Sequence, residues 1–278
     1  MRPAPIATSV ADLRRMLEPW RTDGIALVPT MGALHDGHLS LVTAARQRAR
    51  RVVVSIFVNP TQFAPHEDFD SYPRMLEADR EKLGDAADLI FAPSSAQMYP
   101  DGFATTLSVK GPSAGLESDF RPHFFDGVAT VVAKLLIAAG PDVALFGEKD
   151  YQQLLVIKRL ARDLDLHTEI VGAPILREAD GLAMSSRNAY LNAAERAVAA
   201  QMNLVLKQTI ARLRGGQNVG EAQTSAAEAL RQAGFDSVNY VALRDAESLA
   251  PITTLDRPAR LLAAAKIGRT RLIDNMAV

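Results

Sequence analysis

The chain has 278 residues, 48% hydrophobic and 23% charged, a globular composition that excludes a disordered or fibrous protein and fits one large domain or two modest ones. Its 31 Lys and Arg against 32 Asp and Glu leave a net charge of -1, so no global field draws it to nucleic acid or an anionic membrane, and an anionic ligand has to be met locally. The absence of cysteine removes disulfides, thiolate zinc sites, iron–sulfur clusters and cysteine nucleophiles, and permits a reducing compartment.

Met1 to Ala11 carries no apolar run of signal-peptide length, and no segment approaches the ~18 uninterrupted apolar residues of a membrane span, so a cytoplasmic protein is expected. From Gly24 short apolar runs alternate with amphipathic stretches. Ile25 to Val28 reads as a strand, Leu39 to Arg50 as a helix with Leu41, Val42, Ala45 and Ala49 on one face, and Val52 to Val58 as a strand buried on both sides. Met75 to Leu83 reads as a helix and Leu89 to Ala92 as a third strand, giving one half of a doubly wound α/β fold.

Gly102 to Gly127, rich in Gly, Pro, Ser and charge, reads as an extended connection able to reach over a site. Beyond it the pattern resumes with a helix (Val128 to Ala139), a strand (Val143 to Phe146), a helix (Tyr151 to Asp163) and a strand (Thr168 to Val171). Composition shifts after Asn188. Asn192 with Glu195 forms an amide-headed analogue of a capping box and opens an Ala-rich helix toward Arg214, stopped by Gly215 and Gly216. A helix over about Val219 to Ala233 and strands at Ser237 to Leu243 and Arg260 to Ile267 complete a small α+β unit. The expected architecture is therefore a Rossmann-like doubly wound parallel sheet over residues 1–175 and a smaller α+β lid domain over 176–278, with the boundary near Pro174. There is no repeat of solenoid period.

Two of the five histidines lie in the segment Pro29 to His38, which follows a strand and opens a helix, where free N–H groups and the helix dipole favour an anion. His35 and His38, at i and i+3, can face one ligand. Gly32 and Gly37 allow close backbone approach, and imidazolium side chains could neutralise charge developing on a phosphate chain. A His-x-x-His metal pair, or an Asp36 helix cap with exposed histidines, are the competing readings. Neither the P-loop nor the Gly-x-Gly-x-x-Gly pattern occurs.

Two further strand ends are unusually polar: Asn59 to Phe63, and Gly147, Glu148, Lys149, Asp150, Tyr151, Gln152 and Gln153. In an open α/β sheet these could converge with the histidine loop on one crevice. Lys149 supplies a cation, while Gln62 and Gln153 suit a small hydroxy acid; solvated loop residues are the alternative. In Asp180 to Asn188, Ser185, Ser186 and Arg187 make a natural phosphate clamp, or an ordinary interdomain loop.

His-Asp-Gly-His after the first strand, with Met-Ser-Ser-Arg after the last, resembles the paired nucleotide signatures of the nucleotidyltransferase and class I aminoacyl-tRNA synthetase superfamily. Pro29 to His38, Ser55 to Phe63, Tyr72-Pro73-Arg74, Phe146 to Leu154 and Arg177 to Leu191 together resemble the pantothenate synthetase family, over about Gly24 to Leu191. The resemblance implies an ATP-dependent ligase: pantoate attacks the α-phosphate to give pantoyl adenylate and pyrophosphate, and β-alanine then takes the acyl group to give pantothenate and AMP. It further implies a magnesium requirement and a homodimer, for which the apolar Val52 to Phe57 strand is a candidate pairing edge.

By matching position, Met31, Gly32, Ala33, Leu34, His35, Asp36, Gly37 and His38 are implied to line the ATP site, with His38 the proton donor and His35 beside it on the phosphates. Gly147, Glu148, Lys149 and Asp150 and Met184, Ser185, Ser186 and Arg187 complete it; Lys149, Ser185 and Arg187 meet phosphate, and Leu176 meets the adenine through its backbone. Gln62 is implied to bind pantoate and face β-alanine, Gln153 to hold pantoate, and Asn59 to belong with them. Asp79 matches an acidic position near magnesium. One departure is visible: the family's Arg-Pro-Gly-His-Phe is Arg121-Pro122-His123-Phe124-Phe125 here. A smaller one is Thr61, where the family often has Met. The alternatives are a nucleotidyltransferase that keeps the nucleotide on its product, and an ATP-sensing module without turnover.

Overall fold

The structure, a computed structural model, describes residues 3–64, 69–70 and 72–278. The chain divides into two compact units. One comprises residues up to Glu148 together with Val156–Pro174, and the other comprises Lys149–Leu155 together with Ile175–Val278.

In the first unit, β1 (Ile6–Ala7) and α1 (Val10–Leu17) precede β2 (Ile25–Thr30), α2 (Asp36–Arg46), β3 (Arg51–Ile56), α3 (Leu76–Leu83) and β4 (Leu89–Phe91). Short helices α4 (Ser95–Met98) and α5 (Glu117–Phe120) follow, then α6 (Phe124–Ala139), β5 (Val143–Gly147), α7 (Tyr151–Asp163) and β6 (Glu169–Ala173). The sheet runs β1-β4-β3-β2-β5-β6, and every pairing is parallel. This is the expected Rossmann-like sheet with one extra edge strand, β1.

Val52, Val53 and Val54 are wholly buried, as a strand covered on both faces requires, and each contributes on the order of 1.5–3 kcal/mol of apolar burial. That position corrects one expectation. β3 is paired on both sides, to β2 and to β4, so its hydrogen-bonding groups are consumed within the sheet and it offers no pairing edge. The chain leaves β2 toward β3 on one side, whereas β5 lies on the other. The switch point of the sheet therefore falls at the carboxyl end of β2.

Helix α6 starts at Phe124, ahead of its expected start at Val128. Gly127, which suggests a loop, lies inside it because a Cβ there would come within 2.3 Å of the Thr61 carbonyl oxygen. The glycine lets the helix pack on the turn after β3. His123, one residue before α6, has φ +69°, a left-handed conformation that glycine adopts freely and histidine tolerates better than most. Phe124 beside it carries the Arg121 guanidinium over its ring at 3.8 Å.

In the second unit, α8 (Ala193–Arg214) and α9 (Val219–Gln232) cover an antiparallel sheet of β7 (Ser237–Asp245), β8 (Ala259–Ile267) and β9 (Thr270–Ala277). The reciprocal capping of Asn192 and Glu195 is present at 2.9 Å in both directions. Leu206, Met202, Leu230, Leu261 and Ala263 form its core. Among the described residues no helix is long and apolar enough to cross a membrane.

Candidate active site

The loop after β2 is held by its neighbours in sequence and by α3. Thr30 Oγ1 donates to the Ser55 carbonyl at 2.8 Å, and the chain then turns through two positive-φ residues, Gly32 (+83°) and Ala33 (+51°). Asp79, wholly buried, accepts the Ala33 N–H on Oδ2 at 2.9 Å and the Leu34 N–H on Oδ1 at 2.7 Å. Lys82, one turn along α3, donates to the Leu34 carbonyl at 2.7 Å. A Cβ at Gly32 would stand 3.0 Å from Asp79 Oδ2, so a glycine suits the carboxylate's close approach.

These contacts give Asp79 a structural role. Both Asp79 oxygens are committed to backbone N–H groups inside the protein, and among the described residues no three His, Cys, Asp or Glu side chains form a group that could hold a metal. Asp79 therefore anchors the loop. The His-x-x-His metal reading fails for lack of a third ligand among the same residues.

His35, and not Asp36, caps α2. Its Nδ1 accepts the Gly37 N–H at 3.2 Å, while the His35 N–H donates to His38 Nδ1 at 3.3 Å. The two rings lie 4.0 Å apart. A backbone N–H can only donate, so each Nδ1 stands as an acceptor toward the main chain. The two rings are thus held by the main chain at a helix N-terminus, a place that favours an anion.

At the end of β3, Asn59 is also wholly buried. Its Oδ1 accepts from Tyr99 Oη at 2.8 Å, from Thr61 Oγ1 at 3.0 Å and from the Thr61 N–H at 3.3 Å. Its Nδ2 donates to Gln62 Oε1 at 2.9 Å and to the Gly127 carbonyl at 3.2 Å. Both polar atoms of the Asn59 side chain are engaged within the protein, and through Nδ2 they support Gln62. Arg121 donates to the Gln62 carbonyl at 2.9 Å.

The remaining assigned residues lie mostly in the second unit. Gly147 ends β5 and Glu148, which opens the 3-10 turn after it, closes this stretch of the first unit, whereas Lys149, Asp150 and Gln153 are held with the second. Asn275 donates to the Lys149 carbonyl at 2.8 Å and accepts from Arg260 Nε at 2.6 Å; Arg260 in turn stacks on Tyr151 at 4.1 Å, and Tyr151 donates to the Ala246 carbonyl at 2.8 Å. Arg177 grips Asp274 through two bonds of 2.7 and 2.9 Å, the bidentate geometry that favours Arg. Met184 N–H donates to the Leu176 carbonyl at 3.0 Å, which sets these two assigned residues side by side. Ser185 caps the 3-10 turn Ser186–Tyr190 by accepting the Arg187 N–H at 3.3 Å.

Lys82, Tyr99, Arg260 and Asn275 escape a reading of the sequence. Asn275 lies in β9, where adjacent buried polar residues Asp274 and Asn275 break the alternation that marks a strand. Two consecutive polar residues in an otherwise strand-like stretch are the signal that could have found them.

A parallel sheet whose polar loops gather at the carboxyl ends of its strands, with a histidine-capped helix at the switch point, defines a Rossmann-like α/β enzyme. Over residues 5–277 the chain matches the Pantoate-beta-alanine ligase family. It is 59% identical to a pantothenate synthetase of Mesorhizobium japonicum, over 98% of this chain and 97% of the relative, and 57% identical to that of Nitrobacter hamburgensis, over 100% and 99%. Its fold matches the crystal structure of pantothenate synthetase from Thermus thermophilus with a TM-score of 0.93 and 46% identity, covering 98% of both chains. A pantoate-beta-alanine ligase from Francisella tularensis, described as complexed with beta-gamma ATP and beta-alanine, matches with a TM-score of 0.83 and 33% identity over 98% and 97%. The chain belongs to the pantoate-beta-alanine ligase family, and it is a ligase of pantothenate biosynthesis.

Proposed function

We propose that the protein joins pantoate to β-alanine through a pantoyl adenylate, with ATP as the activating substrate and magnesium carried on the nucleotide's phosphates. In the first step a pantoate carboxylate oxygen attacks the α-phosphorus, the bond to the bridging oxygen breaks, and pyrophosphate leaves. In the second the β-alanine amine attacks the acyl carbon, the acyl–oxygen bond breaks, AMP leaves, and the nitrogen loses a proton as the amide forms. Neither step needs a protein nucleophile; both need positioning and stabilised negative charge.

The observation that carries this reading is the pair of imidazoles of His35 and His38, each held through Nδ1 by a backbone N–H at the start of α2. In this mechanism they face phosphate oxygens, with His38 as the proton donor, and the loop Met31 to His38 lies along the nucleotide. Lys149, Ser185 and Arg187 serve the same phosphates, with Gly147, Glu148, Asp150, Met184 and Ser186 beside them. Leu176 meets the adenine through its backbone, beside Met184, whose N–H its carbonyl accepts. Gln62 and Gln153 hold pantoate, and Gln62 also faces β-alanine. The Francisella tularensis relative, described with an ATP compound and beta-alanine, supports both ligands.

The test is product analysis with ATP, magnesium, pantoate and β-alanine, each omitted in turn. Pantothenate and AMP should form only in the complete mixture. A product that keeps the nucleotide would place the chain with nucleotidyltransferases, and ATP binding without AMP would place it with sensors. A cytoplasmic homodimer completes the proposal, supported by the cysteine-free composition and by the family resemblance; cell fractionation and sedimentation test it.

A further inference from the structure

Asn59 cannot be turned over. The Thr61 N–H is a pure donor and has to meet Oδ1, while the Gly127 carbonyl is a pure acceptor and has to meet Nδ2. The second Nδ2 hydrogen then goes to Gln62 at 2.9 Å, which compels Gln62 to offer its oxygen to Asn59 and to turn its NH2 the other way. Tyr99, at 2.8 Å from Asn59 Oδ1, adds a third donor on the same side. Burial raises the Tyr99 phenol above its ordinary 10.0, against the lowering effect of the bonds to Thr61 and Asn59, so its hydroxyl keeps the hydrogen it donates. Gly127 reaches Asn59 because it has no Cβ to strike Thr61.

We propose that Tyr99 and Gly127 are positioning residues which, through Asn59, fix the Gln62 amide with its NH2 group facing the substrate, so that the site selects ligand groups that accept hydrogen bonds, such as the carboxylate and hydroxyl oxygens of a hydroxy acid. The inference rests on the reading in which Gln62 touches pantoate. Gln62 acts there as a directional donor, and its polarity is set by residues that act on it only through Asn59.

Steady-state kinetics on the full chain test this with Tyr99→Phe, Gln62→Ala and the double variant. Tyr99→Phe removes one oxygen and keeps the ring packed against Phe57 and Phe103. It is expected to raise the pantoate KM roughly three- to tenfold, the scale of one neutral hydrogen bond, with the ATP KM unchanged. In the Gln62→Ala background it is expected to have no further effect on the pantoate KM, because a residue acting through Gln62 has nothing left to orient. Effects that multiply in the double variant, or a normal pantoate KM in Tyr99→Phe beside an impaired Gln62→Ala, overturn the positioning role. A normal pantoate KM in Gln62→Ala overturns the underlying reading instead.

Discussion

Asn275 donates its side-chain amide to the main-chain carbonyl of Lys149 at 2.8 Å. A residue near the end of the chain thus fixes the backbone of the cation assigned to phosphate. Replacing Asn275 with Ala leaves that carbonyl and the buried Arg260 without this partner, a loss on the order of 1–3 kcal/mol. Pyrophosphate release from ATP and pantoate is expected to slow roughly tenfold with a lowered Tm; an unchanged rate would separate Asn275 from the function of Lys149.

Asp79→Asn offers an NH2 group to one of two backbone N–H donors, so one loop contact becomes a clash of donors. Adenylation should fall by roughly 10², the cost of misplacing a preorganised loop. The magnesium concentration giving half-maximal rate should stay where it is. Recovery of the rate at high magnesium would mark the carboxylate as a metal ligand.

His38→Ala and Lys149→Ala each remove a group assigned to developing phosphate charge. Single-turnover adenylation is expected to drop by roughly 10² or more in each. Near-normal rates in both would end the assignment.

Glu178 sits under Arg196, whose Nη1 lies 3.1 Å away, and that hydrogen bond holds its carboxyl below the ordinary 4.5. A depressed carboxylate stabilises the fold fully above its unfolded value and loses the contribution as pH falls from about 4.5 through the lower folded value. Glu178→Gln should therefore lower Tm at neutral pH and differ less from the parent as pH drops below about 4.5. A gap that stays constant on acidification, followed by differential scanning fluorimetry, would discount the ion pair.

The elements that position the site are largely legible in the sequence because apolar runs such as Val52–Val54 and turn residues such as Gly215 and Gly216 speak locally. What is not legible depends on neighbours far along the chain. Nothing in Glu77-Ala78-Asp79 reveals a loop anchor until residues 33 and 34 arrive beside it. Asn59 reads as a ligand-binding amide at a strand end, yet Gly127 and Tyr99 enclose it. The setting of His35 and His38 follows from which way two backbone N–H groups point, and periodicity carries no such information. β9 is hidden by Asp274 and Asn275, whose burial is bearable only because Arg177 and Arg260 meet them.

The chain passes between its two compact units at Glu148–Lys149, at Leu155–Val156 and at Pro174–Ile175, cutting through the stretch Phe146 to Leu154 that reads as a single motif. No one scission therefore yields two intact bodies. A fragment ending at Pro174 would carry Lys149 without Asn275 and Tyr151 without Ala246.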